Sequence, residues 1–367
     1  MQMEEYMQMA LDLAALAKGR TSPNPLVGAV VVKDGRVVGQ GWHKKAGTEH
    51  AEVHALRQAG DAARGADIYV TLEPCSHYGR TGPCSKALID AGVRRVFVAM
   101  EDPNPLVAGK GIKMLRDAGI EVQVGIKEKE ARKLNEFFLK WIVQKMPFVT
   151  MKTAMTLDGK IATTTGESKW ISGEASRRKV HQFRDLHDAI LVGIGTVLAD
   201  HPALTTRLPD GSGKNPLRVI VDSQARISLT EQVLTDGLAP VIIAVTRAAK
   251  ADKIAALKSA GAEVWVINEG PRVDLTRLLQ RLGERSVSSV FVEGGAAINF
   301  SMLAAGLVDK VYTFIAPKLL GGAAAPTPVG GDGVSMMKDA LLLQDMQAEA
   351  VGEDLLISGY IIKAGEH

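Results

Sequence analysis

What most constrains this chain is the spacing of its short apolar runs. The segments "ADIYVTL" (66–72), "RRVFVAM" (94–100) and "IEVQVG" (120–125) read as strands. Between them lie the helix-length stretches "SKALIDAG" (85–92) and "GKGIKMLRDAG" (109–119). Strands alternating with helices of that length call for a largely parallel sheet covered by helices. The hairpin "LVGAVVV" (26–32) and "RVVGQGW" (36–42), turned at "KDG", leads into it. The rhythm breaks once. A helix predicted over 128–144 is stopped at Pro147 in "KMPF", and a new series of strands starts at "FVTMKTAM" and runs to "KVYTFIAP". The boundary therefore falls near residue 146, giving two α/β domains, 1–146 and 147–367. A surface loop is expected at "RLPDGSGKNP" (207–216). No internal repeat links the halves.

The chain's 367 residues suffice for two buried cores. Its net charge of +3 is too small for a dedicated nucleic-acid surface. No apolar run reaches the roughly 18 residues of a membrane span. Glu4 and Glu5 stand where a secretion signal would carry bases, so a cytoplasmic protein is expected. Only two cysteines occur, Cys75 and Cys84. In a reducing compartment a metal or redox role outranks a disulfide for them.

Both cysteines follow a proline in "TLEPCSHYGRTGPC", in turns entering helical segments where free N–H groups favour a thiolate. His50 opens a helix in "GTEHAEVHAL". One imidazole and two thiolates would hold zinc and leave its fourth position to water. Glu52 is then the carboxylate that takes a proton from that water and gives it to a leaving amine. The spacing of His50 and His54 also suits a metalloprotease helix, but that motif needs Glu directly after the first His. A solvated helix face is the bland alternative. It loses to the order His-x-Glu followed by Pro-Cys…Cys, the signature of zinc deaminases, in which Glu is not a ligand. His54 has no role in that signature and is expected to be structural. Eight residues separate the cysteines, from Ser76 to Pro83, where the general signature has two.

That longer spacing marks one branch. "SPNPLVGAVVVKDG", "HAEVHAL", "YVTLEPCSHYGRTGPC" and "DPNPLVAGKG" resemble the riboflavin-biosynthesis pyrimidine deaminases. "MTLDGKIATTTGESKWIS", "GIGTVLADHPALTTR" and "VEGG" resemble the 5-amino-6-ribosylamino-uracil phosphate reductases. The resemblance runs from about Glu4 to Ile362. It implies a cytidine-deaminase-like three-layer domain followed by a dihydrofolate-reductase-like domain, with one zinc ion and NADPH as cofactors. The implied reactions are deamination of 2,5-diamino-6-ribosylamino-4(3H)-pyrimidinone 5′-phosphate and reduction of the ribosyl chain to ribityl.

The resemblance also implies site residues. In the deaminase half Asn24, His43, His77, Arg80, Asp102 and Asn104 would contact substrate, Arg80 being the strongest phosphate candidate because its fork binds bidentately. In the reductase half Ala154, Trp170, Thr196, Asp200 and Ser223 would meet the cofactor. The turn and helix of Gly295, Ala296, Ala297, Ile298, Asn299, Phe300 and Ser301 would join them. Ser168, Arg184, Leu204, Arg207 and Glu293 would bind substrate, with Arg184 and Arg207 as clamps for the 5′-phosphate. Lys152 reads equally as a contact to the ribose chain or as a snorkelling surface lysine. No G-x-G-x-x-G follows a strand, so composition alone announces no dinucleotide. Expected partners are phosphorylated pyrimidines and a second copy of the chain in a homo-oligomer, with no nucleic acid and no membrane.

Two other readings deserve weight. One is a deaminase with a non-catalytic reductase-like domain kept for assembly, which the intact "LDGK", "GESKW" and "VEGG" motifs oppose. The other is a zinc-stabilised binding module, which would want a fourth ligand in register and an apolar residue at position 52. A nucleic-acid base deaminase fits the bare spacing but lacks the charge and an aromatic stacking run.

Overall fold

The first sheet is built from a turn that only a few residues tolerate. Asp34 and Gly35 both take left-handed backbone angles, φ 50° and 74°, and fold β1 (Gly28–Lys33) onto β2 (Arg36–Trp42) as an antiparallel hairpin. This computed structural model describes residues 3–76, 82–104 and 107–362, and the chain divides into two units, Met1–Met146 and Pro147–His367.

Unit 1 runs α1 (Met3–Ala15), the hairpin, α2 (Ala51–Ala59), β3 (Asp67–Val70), α3 (Cys84–Ala91), β4 (Arg95–Val98), α4 (Lys110–Asp117), β5 (Glu121–Val124), α5 (Glu128–Leu134) and α6 (Glu136–Gln144). The sheet order is β2-β1-β3-β4-β5, antiparallel through the hairpin and parallel from β3 to β5. Because side chains alternate along β1, Ala29 and Val31 pack against α2, α3 and α4, while Val30 and Val32 meet α1 and the α5–α6 side. Three layers result. Two glycines set how close α2 comes. A Cβ on Gly39 would lie 2.2 Å from the Ala55 carbonyl oxygen, and one on Gly41 2.6 Å from that of Ala51. The bare strand lets α2 lie directly on β2, which fixes the helix start and the residues it carries.

The helix expected over 128–144 is two helices, parted at Asn135. The Asn135 side chain accepts the Leu26 N–H (2.7 Å) and donates to the Leu26 carbonyl (3.0 Å), so its polar groups tie down the approach to β1.

Unit 2 contains β6 (Phe148–Thr156), α7 (Glu174–Leu186), β7 (Ala189–Gly193), α8 (Ile194–Asp200), β8 (Leu217–Val221), α9 (Gln232–Thr235), β9 (Val241–Thr246) and α10 (Ala251–Ser259). It continues with β10 (Glu263–Asn268), α11 (Leu275–Glu284), β11 (Ser289–Val292), α12 (Ala296–Ala304), β12 (Lys310–Ala316), β13 (Leu343–Val351) and β14 (Asp354–Ile361). Seven strands pair in parallel in the order β10-β9-β8-β7-β11-β6-β12, and β14 and β13 extend the sheet as an antiparallel hairpin. That hairpin is absent from the sequence expectation. β13 is exposed almost throughout and rich in Gln, Asp and Glu, so its pairing rather than its own pattern makes it a strand.

At the carboxyl edge of the parallel strands, β7 passes at once into α8 and its neighbour β11 turns through Gly294 and Gly295 into α12. A Cβ on Gly294 would lie 1.8 Å from Ile298 Cγ2, so only glycine lets α12 fold back here. The two turns meet: the Cβ position of Gly295 is 3.7 Å from Thr196 Oγ1. Open parallel sheets take their ligands in a crevice of this kind.

Candidate active sites

The first site lies where α2 and α3 begin. His50 is the N-cap of α2, Glu52 lies in that helix's first turn, and Cys84 opens α3 after Pro83. Cys75 comes from the turn after β3 and is fixed from both sides. Its carbonyl accepts the Ser85 N–H (3.2 Å) and hydroxyl (3.0 Å), and its Sγ accepts the Cys84 N–H (3.3 Å). His50 Nδ1 stands 3.2 Å from Cys84 Sγ and 3.6 Å from Cys75 Sγ, and all three ligand atoms lie within 4.8 Å of one another.

That donor set fits zinc. Tetrahedral bonds of about 2.05 Å to nitrogen and 2.3 Å to sulfur would put the two ligand atoms about 3.6 Å apart. The thiol of Cys84 hydrogen-bonds to Cys75, which drives the Cys75 thiol well below its ordinary range and Cys84 well above it; His50 is raised by its own bond to Cys75. The cluster already favours one thiolate, and a dication would displace the remaining proton. Glu52 is buried, and its Oε2 has no hydrogen-bond partner among the described residues. Burial raises its carboxyl above the usual range, which suits a group that must both take and release a proton.

Other expected residues of this half gather nearby. His43 is buried, hydrogen-bonds the Glu49 carbonyl through Nδ1 (3.1 Å) and receives the Asn24 amide at Nε2 (3.1 Å). Its ring meets that of His50 edge-on at 5.6 Å. Asp102 Oδ1 accepts the Asn104 N–H at 2.9 Å. His77 and Arg80 lie outside the described residues.

In unit 2 a polar cluster forms around Glu293, the residue that follows β11. Arg184 on α7 grips it with two bonds, Nε to Oε1 (2.6 Å) and Nη2 to Oε2 (3.1 Å). Lys152 on β6 points its ammonium at the same carboxylate, Nζ 3.8 Å from Oε2. It does not snorkel to solvent. Burial works to raise the Glu293 carboxyl, but the charges of Arg184 and Lys152 outweigh it and hold it below the usual range; burial lowers Lys152. Arg184 Nη1 also donates to the Thr205 carbonyl (2.9 Å), and Arg207 Nη1 to the Thr205 hydroxyl (3.2 Å). The two arginines thus share one segment, which Leu204 enters with a left-handed φ of 52°.

Sequence reasoning missed His181, one turn before Arg184. Its Nδ1 accepts the Arg207 N–H at 3.2 Å. Burial, with the charges of Arg184 and Arg207, lowers its pKa to about 4. The only signal for it is its position three residues ahead of Arg184 on one helix face.

The remaining residues divide. Thr196 and the Gly295–Ile298 turn come together, as above. Ser223 follows β8, where its hydroxyl accepts the Val273 N–H (3.1 Å). Asn299 donates to the Gly294 and Pro328 carbonyls while its buried Oδ1 has no hydrogen-bond partner among the described residues. Ser301 bonds back to Ala297 O (2.9 Å), and the Phe300 ring packs where a Cβ on Gly331 would stand. Trp170 is exposed beneath the Arg177 guanidinium, 4.7 Å from the ring centre. Ala154 is on β6, Ser168 on the loop beyond it, and Asp200 ends α8.

Residues 147–357 match the RibD C-terminal domain, and residues 1–100 match the cytidine and deoxycytidylate deaminase zinc-binding region. The riboflavin biosynthesis protein RibD of Bacillus amyloliquefaciens is 48% identical over 355 residues, 97% of this chain and 95% of the relative. That of Aquifex aeolicus is 46% identical over 354 residues, 96% and 97% of the two chains. Among solved structures, Acinetobacter baumannii RibD superposes with a TM-score of 0.88 at 40% identity, over 98% of this chain and 99% of that one. A Thermotoga maritima diaminohydroxyphosphoribosylaminopyrimidine deaminase/5-amino-6-(5-phosphoribosylamino)uracil reductase gives 0.85 at 37%, over 98% of each.

Proposed function

Because the chain belongs to the RibD family of riboflavin-biosynthesis enzymes, in which a deaminase is joined to a reductase, we propose that residues 1–146 deaminate and residues 147–367 reduce. The substrate of the first step is 2,5-diamino-6-ribosylamino-4(3H)-pyrimidinone 5′-phosphate. The product of the second is 5-amino-6-(5-phospho-D-ribitylamino)uracil.

One observation carries the deaminase reading. His50, Cys75 and Cys84 converge beside a buried Glu52 oxygen that has no hydrogen-bond partner among the described residues. His50, Cys75 and Cys84 would hold a zinc ion, which would supply the Lewis acidity that brings the pKa of a water near neutrality. Glu52 Oε2 takes the water's proton as the new carbon–oxygen bond forms. It returns that proton to the exocyclic nitrogen, whose bond to carbon breaks and releases ammonia. Asn24 and His43, paired with each other beside His50, orient the amide edge of the pyrimidine, and Asp102 and Asn104 close it from the loop that follows β4.

In the reductase half the ribose ring opens to an imine before its first carbon is reduced. NADPH supplies the hydride. The chain supplies a crevice at the carboxyl edge of the sheet, where Thr196 and Gly295 to Ser301 face the cofactor with Ala154, Trp170, Asp200 and Ser223. Arg207 meets the 5′-phosphate, and Lys152, held by Glu293, points at the sugar chain, with Ser168 and Leu204 at its borders. No helix among the described residues is long and apolar enough to cross a membrane. A homo-oligomer in the cytoplasm fits the edge strand β13, whose neighbourhood exposes Met337, Leu341, Leu342 and Met346.

The test follows NADPH absorbance and ammonia together. The diaminopyrimidine substrate should release ammonia first and consume NADPH only afterwards. A chain that oxidises NADPH against the unreacted diaminopyrimidine, or releases no ammonia when loaded with zinc, contradicts this reading.

A further inference from the structure

Glu73 stands two residues before Cys75 and is buried, yet no step described above uses it. Its carboxylate is filled by main-chain donors from one distant segment. Oε1 accepts the N–H groups of Gly111 (2.9 Å) and Ile112 (3.2 Å), and Oε2 those of Gly109 (2.9 Å) and Asp102 (3.2 Å). Its own N–H donates to the Met100 carbonyl at 3.0 Å. Four N–H donors on two oxygens match the acceptor capacity of an ionised carboxylate.

A second observation is independent of that side chain. A Cβ on Gly111 would lie 1.9 Å from the Pro74 carbonyl oxygen, so the start of α4 rests directly on the backbone between Glu73 and Cys75. The same turn therefore carries a metal ligand on one side and clasps the main chain of Asp102, Gly109, Gly111 and Ile112 on the other. Asp102 and Asn104 ride on the clasped segment, with the Asn104 N–H bonded back to Asp102 Oδ1 at 2.9 Å.

We propose that Glu73 is a positioning residue of the deaminase: it sets the substrate-facing Asp102–Asn104 turn in register with Cys75 and so governs affinity for the pyrimidine, not the proton transfers. This rests on the reading of unit 1 as the deaminase. A residue that merely capped α4 would alter folding and metal content without separating KM from kcat.

The glutamine variant discriminates because it keeps the shape but not the acceptor count. Whichever way the amide lies, its NH2 group confronts two of the four N–H donors. Full-length, zinc-loaded wild type and Glu73→Gln are compared for zinc per chain, for ammonia release against substrate concentration, and for NADPH-dependent reduction of the deaminated substrate. The expected result is a KM for deamination raised roughly tenfold or more, kcat changed by no more than about threefold, and zinc and reduction unchanged. If wild type releases no ammonia, the deaminase reading itself fails. If wild type is active and Glu73→Gln shares its KM, the inference is overturned, as it is if the variant loses zinc along with activity. Should Glu73→Gln not accumulate folded, Glu73→Asp decides. It keeps the charge and both acceptors one methylene short, so its KM for deamination should rise above that of wild type with zinc content unchanged, and an unchanged KM overturns the proposal.

Discussion

Arg184 holds Glu293 in a two-bond fork, Nε to Oε1 at 2.6 Å and Nη2 to Oε2 at 3.1 Å, with its Nη1 on the Thr205 carbonyl. Three of its five donors are thereby committed inside the protein. Two arginines sharing the 5′-phosphate is the sequence expectation. Because Arg184 is bonded to Glu293 and Thr205 while Arg207 is exposed on the adjoining segment, we propose that Arg184 chiefly anchors the carboxylate and that Arg207 makes the main phosphate contact. Arg207→Ala should raise the KM for the deaminated substrate by about ten- to a hundredfold, since a charge-assisted contact contributes roughly 1.5–3 kcal/mol. NADPH affinity should hold, and lysine should rescue only in part. An unchanged KM removes Arg207 from the site.

Arg184→Ala should behave differently. It leaves a buried carboxylate with the more distant Lys152 as its nearest counter-charge, and breaking such a pair costs about 3 kcal/mol or more. Thermal unfolding of the variant should shift down together with its reductase activity. A variant of normal stability that lost only substrate affinity would return Arg184 to the phosphate.

Glu52→Gln should lower the rate of deamination by about 10²–10⁴, toward the upper end because one group serves both attack and departure. Zinc content should stay at the wild-type level, since Glu52 is not among the three converging ligand atoms. Loss of metal in this variant would make Glu52 a ligand.

Cys75→Ser and Cys84→Ser should each release zinc and stop deamination while leaving NADPH-dependent reduction of a deaminated substrate intact. Each unit has its own hydrophobic cores, so the damage should stay local. A folded variant that lost both activities would contradict independent sites.

His187 gives a pH signature for unit 2. It is buried, with Nδ1 2.7 Å from the Phe183 carbonyl and Nε2 3.0 Å from the Thr150 hydroxyl, and burial lowers its pKa to about 4. The neutral ring donates at Nδ1 and accepts at Nε2; protonation destroys the acceptor. A depressed histidine contributes stability that is full above its unfolded pKa of about 6.5 and is lost as pH falls toward about 4, on the order of 3 kcal/mol in all. The urea midpoint for loss of reductase activity should fall across that window in wild type and fall less in His187→Gln. Equal slopes would dismiss the assignment.

The metal centre and the α/β rhythm were legible because each rests on local pattern: Pro-Cys turns, a histidine at a helix start, apolar runs of strand length. What stayed hidden depends on partners far away in sequence. Asn135 breaks a helix to reach Leu26, β13 is a strand only because β14 pairs with it, and His181 matters through Arg207. Glu73 looked like part of a motif, yet its four donors lie 29 to 39 residues further on. Lys152 reads two ways in sequence because its counter-charge, Glu293, lies just past a strand remote in the chain.

The most direct test of the two-step account is the mass of the product formed from the diaminopyrimidine ribosylamine phosphate by full-length, zinc-loaded chain, with and without NADPH. Without NADPH the product should carry an oxygen in place of the exocyclic NH and appear with one ammonia per turnover. With NADPH the same product should gain two hydrogens. Gain of two hydrogens without loss of ammonia, or ammonia loss with no further gain when NADPH is present, would contradict the account.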